Sequence, residues 1–118
     1  MTGRLVDAQE ALARGLVRSL HPQGELLEAA FALAREIAEN TSAVSVAMTR
    51  AMVWRLSALE HPMLAHRIDS RAIYRLSRSA DAREGISSFL EKRPPVYPDT
   101  VTGQMPDFYP WWEEPAYR

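Results

Sequence analysis

The chain contains no cysteine. That excludes a disulfide framework, a thiol nucleophile and a Cys-ligated zinc site. Only five of its 118 residues are glycine, and none of the patterns G-x-x-x-x-G-K-[ST], G-x-G-x-x-G or G-x-S-x-G occurs. Phosphate-cradling loops and a strained nucleophile turn therefore have no material. No apolar run reaches the roughly 18 residues that a membrane-spanning helix needs. The start, Met-Thr-Gly-Arg-Leu-Val-Asp, lacks an apolar core of signal-peptide length. The expected address is cytoplasmic, without membrane insertion. Neither sign of charge dominates: 14 Lys and Arg stand against 15 Asp and Glu, a net charge of −1. General binding to nucleic acid or to an anionic membrane would need a basic excess.

What the chain does contain is helical periodicity, with no long strand alternation and no internal repeat. Asp7 caps a first segment, with Glu10 placed to bond back, and Gly15 closes it. Residues 16–20 read as an extended connector and His21-Pro22-Gln23-Gly24 as a turn. Over residues 25–40, Leu26, Ala30, Leu33 and Ile37 form one row and Leu27, Phe31, Ala34 and Ala38 the next, giving a broad apolar stripe. Asn40-Thr41-Ser42 breaks the stripe. A helix over 43–59 follows, with Val44, Met48, Met52 and Leu56 recurring every fourth residue and Trp54 off that row. His61-Pro62 punctuates the chain, and a helix over 63–77 presents Leu64, Ile68, Ala72 and Leu76 beside a row of Arg67, Arg71, Arg75 and Arg78.

Residues 81–95 are the most distinctive stretch. Asp81 reads as N-cap and Glu84 as its capping-box partner. Ile86, Phe89 and Leu90 make one apolar face that is expected to turn inward. Lys92 and Arg93 suit the negative end of the helix dipole, and Pro94-Pro95 ends the helix. The remaining segment carries Pro98, Pro106, Pro110 and Pro115 together with Phe108, Tyr109, Trp111, Trp112 and Tyr117. It reads as an irregular arm, too aromatic to stay undocked. The expected fold is all-α: four to five helices over residues 1–97 and an extended arm over 98–118.

Three stretches, taken in order, carry a resemblance. They are Thr2-Gly3-Arg4 with Ala8 to Val17; Glu25-Leu26-Leu27 through Ala34, Ile37 and Ala38, then residues 44–49; and Asp81, Glu84-Gly85-Ile86, Phe89 and Glu91-Lys92-Arg93. Residues 2–97 in this register resemble the C-terminal part of the enoyl-CoA hydratase/isomerase (crotonase) family. The resemblance implies a helical domain that packs against an acyl-CoA-binding spiral and builds trimers. The oxyanion hole and catalytic carboxylates of that family lie upstream of the matched positions. No catalytic residue is therefore carried over, and the chain alone is expected to be inactive. In hydratases of this family the F-x-x-K segment lies beside coenzyme A, which here implies Phe89 and Lys92, with Arg93 as an alternative phosphate contact. The implied ligand is a coenzyme A thioester. The implied partners are further copies of the chain, as a homo-oligomer of trimer type, or a spiral-domain polypeptide. A complete relative would hydrate 2-enoyl-CoA thioesters.

The competing reading is a stand-alone helical interaction module that self-associates through Val44, Met48 and Met52 or through the aromatic arm. Other candidates have plain explanations. The arginine row reads as a solvated or ion-paired face. His61 and His66 are too badly spaced to share a metal, and His21 is remote in sequence. Glu10 and Glu84 are accounted for as caps, and Glu91 as a surface residue.

Overall fold

A computed structural model describes residues 3–117. The Thr2 of the first matched stretch and the final Arg118 lie outside the described residues. Among the described residues there are six helices and no strand: α1 (Ala8–Ala13), α2 (Leu26–Asn40), α3 (Ala43–Leu56), α4 (Pro62–Leu76), α5 (Ala80–Glu91) and α6 (Val101–Gln104). The first five follow the apolar periodicity, and α6 is a single turn within the arm. None of them is long and apolar enough to cross a membrane. The chain forms two compact units, residues 1–37 and 38–118.

In the first unit, Asp7 caps α1 by accepting the Glu10 backbone N–H at 2.8 Å. The Glu10 side chain does not complete a capping box. It is gripped by Arg4, at 2.5 and 2.7 Å, and by Arg14, at 2.9 Å. Two guanidiniums outbid a backbone N–H because charge-assisted bonds are the stronger ones. They hold the Glu10 carboxyl below its ordinary range, Arg4 contributing most. Gly15 adopts φ 71°, as a helix-terminating glycine should. The apolar stripe of α2 lies largely open in this chain: Leu26, Leu27, Phe31 and Ile37 are all exposed.

The second unit holds the core. Val44 and Met48 of α3 are 1% and 0% exposed, and Ala72 of α4 is also buried. These lie on the rows that the four-residue spacing predicts, with Met52, Leu56, Ile68 and Leu76 half-buried beside them; Leu64, the first residue of the α4 row, is exposed. Burying each large aliphatic side chain is worth about 1.5–3 kcal/mol. α3 packs on α4 and on the arm's α6. The arm docks, as its aromatic content predicts: Pro106 is fully buried, and Phe108, Tyr109, Trp111 and Trp112 are half-buried. α3 ends at Leu56, three residues short of the predicted end, because Leu59 N–H bonds back to the Leu56 carbonyl in a tightened turn. His61 then opens α4, its Nδ1 accepting the Met63 N–H at 3.1 Å.

Candidate functional site

The exit of α5 is the best-defined polar construction in the chain. The helix starts two residues earlier than expected. Ser79, not Asp81, is the N-cap and accepts the Ala82 N–H at 3.0 Å. Asp81 then falls in the first turn, where its charge suits the positive helix end. It is only 4% exposed and reaches into the chain beyond α5. Its Oδ1 accepts the Asp99 N–H at 2.8 Å, and its own N–H donates to Asp99 Oδ2 at 3.2 Å. This reciprocal clasp anchors the start of the arm.

Glu84 is likewise not a capping-box residue. Both terminal nitrogens of Arg93 donate to it, at 2.5 and 2.9 Å, and the Val96 N–H donates at 2.7 Å. Those donors, Arg93 first, push its carboxyl down to about 2. Arg93 is raised in turn by Glu84 and then by Glu91, whose Oε2 lies 2.6 Å from its Nε. All three guanidinium nitrogens of Arg93 are thus engaged by carboxylates.

Lys92, one residue earlier, closes the helix in the left-handed conformation, φ 56° and ψ 37°. The Arg93 N–H reaches back to the Ser88 carbonyl at 3.1 Å, and Lys92 N–H caps the Phe89 and Ser88 carbonyls. This is the six-to-one closure of a Schellman motif, usually made with glycine. A lysine there means that the helix is ended by this turn rather than by Pro94-Pro95. The turn aims the lysine back along the helix, with Nζ 4.5 Å from the centroid of the Phe89 ring.

The face expected to turn inward turns outward. Phe89 is 70% exposed, and Ile86 and Leu90 are exposed beside it. The buried side of α5 is instead Asp81 and Ser88, with Gly85 against Tyr97. Small and polar residues face inward because the arm passes close over them; a Cβ on Gly85 would lie 3.6 Å from the Tyr97 hydroxyl. The two sequence-predicted residues, Phe89 and Lys92, are therefore brought together on an exposed ledge. No carboxylate pairs with Lys92 among the described residues. A free ammonium beside an open ring can receive an anion and stack a planar group.

The remaining candidates fall elsewhere. Two of the row's four arginines lie over aromatic rings: Arg71 of α4 lies 4.3 Å from the Phe108 centroid, and Arg78, just beyond the helix, lies 3.7 Å from that of Tyr74. His21 meets Ser19 at 2.7 Å, and His66 lines an open cleft with Asp69. The described residues hold no group of three or more His, Cys, Asp or Glu placed to hold a metal ion. Ser79 and Asp99 were missed by the sequence reading. Ser79 was legible, since a serine three residues before Ala82 satisfies the N-cap spacing equally well. Asp99 had no local signal, because its partner lies 18 residues away.

The described residues thus form an all-helical fold with a cation–aromatic ledge at one helix exit. The enoyl-CoA hydratase/isomerase family model matches residues 1–100, and the chain belongs to that family. Over 104 residues it is 39% identical to the enoyl-CoA hydratase ACTT3 of Alternaria alternata, covering 87% of this chain and 34% of that protein. It is 34% identical over 96 residues to the human mitochondrial enoyl-CoA hydratase domain-containing protein 3, covering 81% of this chain and 31% of that protein. The crystal structure of a probable enoyl-CoA hydratase/isomerase from Mycobacterium abscessus superposes with a TM-score of 0.76 at 31% identity, covering 84% of this chain and 39% of that one. The chain thus spans about a third of the length of the curated relatives it matches.

Proposed function

We propose that residues 1–97 act as the C-terminal helical domain of an enoyl-CoA hydratase/isomerase family protein, with residues 98–118 as an appended arm. In this reading the domain assembles subunits and supplies one edge of an acyl-CoA site, and the complete cytoplasmic enzyme hydrates 2-enoyl-CoA thioesters. The observation that carries it is the Phe89–Lys92 ledge. The Lys92 ammonium has no competing carboxylate among the described residues and sits 4.5 Å from an exposed ring. That pairing fits a coenzyme A phosphate on Lys92 and the adenine against Phe89. The neighbouring Arg93 is tied to Glu84 and Glu91, which leaves Lys92 as the cation of the α5 exit without a carboxylate partner among the described residues.

Catalysis is not assigned to any residue here. Stabilising a thioester enolate calls for fixed N–H donors converging on one oxygen, and the α5 exit offers a cation and a ring instead. The open α2 stripe and the exposed Ile86, Phe89 and Leu90 favour burial against further copies of the chain or a spiral-domain polypeptide. Of the rival surface of Val44, Met48 and Met52, the first two are buried within the chain and Met52 is half-buried, which leaves the aromatic arm as the other route to self-association.

Light scattering for assembly and a coenzyme A titration for binding, each on the wild-type chain and on Lys92→Ala, test the reading. A trimer-type mass and coenzyme A binding that weakens in Lys92→Ala support it. A monomer at all concentrations, with binding unchanged in that variant, overturns it.

A further inference from the structure

A second cleft gathers cations and aromatic faces, well apart in sequence from the α5 exit. Arg50, Ala51, Trp54 and Arg55 of α3 line a cavity of about 390 Å³ with Tyr109 and Trp112 of the arm. Two donors converge at its edge. The Arg55 guanidinium and the Trp112 indole N–H, the latter at 2.8 Å, both donate to the same oxygen of Glu114. The Arg55 guanidinium also lies 4.6 Å from the Trp112 ring centroid. Tyr109 holds Trp112 from the side, edge-on, with centroids 5.2 Å apart. Trp54 is 74% exposed. Arg50 has no carboxylate partner among the described residues. The arm half of this cleft lies beyond residue 100, outside the stretch that the family model matches.

We propose that this cleft binds a planar aromatic anion, a ring bearing a carboxylate or a phosphate. The ring lies against Trp54 and Tyr109, and the anionic group takes the place of the Glu114 carboxylate on Arg55 and Trp112, within reach of Arg50. Each part of the ligand answers a separate observation. Glu114 marks where an anion sits, because two N–H donors already converge there. Its ion pair with Arg55 is largely solvent-exposed, and such pairs are weak enough to be displaced. Arg50 supplies a second positive charge that nothing in the described chain neutralises. The exposed Trp54 and the ring of Tyr109 offer faces for stacking, and aromatic stacking of a planar group is tolerant of its identity. A bare anion would leave those faces unused, and a neutral ring would leave Arg50 unpaired.

The test is a titration of the full chain followed by the indole N–H signals in proton–nitrogen NMR spectra. The probes are 1-naphthoate, adenosine monophosphate, acetate and 1-naphthol. We expect naphthoate or adenosine monophosphate to shift the Trp54 and Trp112 signals together, saturably, with acetate and naphthol far weaker. Arg50→Ala, which removes an exposed cation, is expected to weaken binding about tenfold. Glu114→Gln removes the internal competitor's charge and is expected to tighten it about threefold. Lys92→Ala leaves it unchanged, which separates this cleft from the α5 ledge. Equal shifts from acetate or naphthol, an affinity unaffected by Arg50→Ala, or no saturable shift from either aromatic anion would each overturn the proposal.

Discussion

Lys92 is asked to do two things at once, and substitutions can pull them apart. Its backbone sits at φ 56°, where a side chain is strained, and its ammonium lies over Phe89. Replacing it with alanine removes the ammonium and keeps the strain. The lost cation–π contact, at an exposed site, is worth about 0.5–1 kcal/mol. Replacing it with glycine removes the same ammonium but also the left-handed penalty, about 1–2 kcal/mol. Glycine gives back about 0.4–1 kcal/mol through a freer unfolded chain. The difference between the two variants is then about 1 kcal/mol in favour of Lys92→Gly. For a unit of this size that separates their melting temperatures by about 4–8 °C. Lys92→Gly should melt close to wild type and Lys92→Ala below it. All three tryptophans lie in the second unit, so thermal melting followed by their fluorescence reads the relevant fold. Coenzyme A binding should fall by the same factor in both variants, because both lose the same cation. Equal melting temperatures would refute the left-handed cap, and unequal loss of binding would refute the role given to the ammonium.

Three further outcomes follow from the same helix. Gly85→Ala should stabilise the second unit by up to about 1 kcal/mol, since alanine is the better helix former and its Cβ would meet Tyr97 only at ordinary contact, 3.6 Å; chemical denaturation checks it. Ser79→Ala should cost about 1 kcal/mol by removing the N-cap, whereas a residue that merely precedes the helix would cost almost nothing. Glu84 fixes a pH dependence. Its carboxyl is held at about 2 when folded, against an ordinary value of 4.5. A depressed folded value means that the group stabilises fully above the unfolded value and loses that contribution as the pH falls from about 4.5 towards 2. The wild-type melting temperature should fall through that window more steeply than that of Glu84→Gln, and a parallel fall would contradict the Arg93 clasp.

Residues 41–79 were legible because burial there follows period: Val44, Met48 and Ala72 lie on rows that the spacing alone picks out. α5 was legible as a helix but not in its facing. Ile86, Phe89 and Leu90 have a core-like spacing, yet the inward side belongs to Asp81, Gly85 and Ser88, because the arm returns over it and only small or hydrogen-bonded groups fit. That contact depends on Asp99, Val96 and Tyr97, whose role is set by pairing across the chain rather than by local pattern. Glu10 and Glu84 show the same limit. Each satisfies a capping-box spacing, and each is taken by arginines that a three-residue window does not contain. The arginine row of α4 was visible as a row, but its aromatic partner Phe108 lies in the arm. Phe89 and Lys92 were found through the family resemblance rather than by periodicity, which alone assigns that phenylalanine to a core.

The most direct test of the proposed function is to titrate coenzyme A into the labelled chain and map the backbone amide shifts. The account predicts shifts that peak over residues 89–93, at the Phe89–Lys92 ledge, and shrink in Lys92→Ala. Shifts centred on another part of the chain, or a map identical in Lys92→Ala, would contradict it.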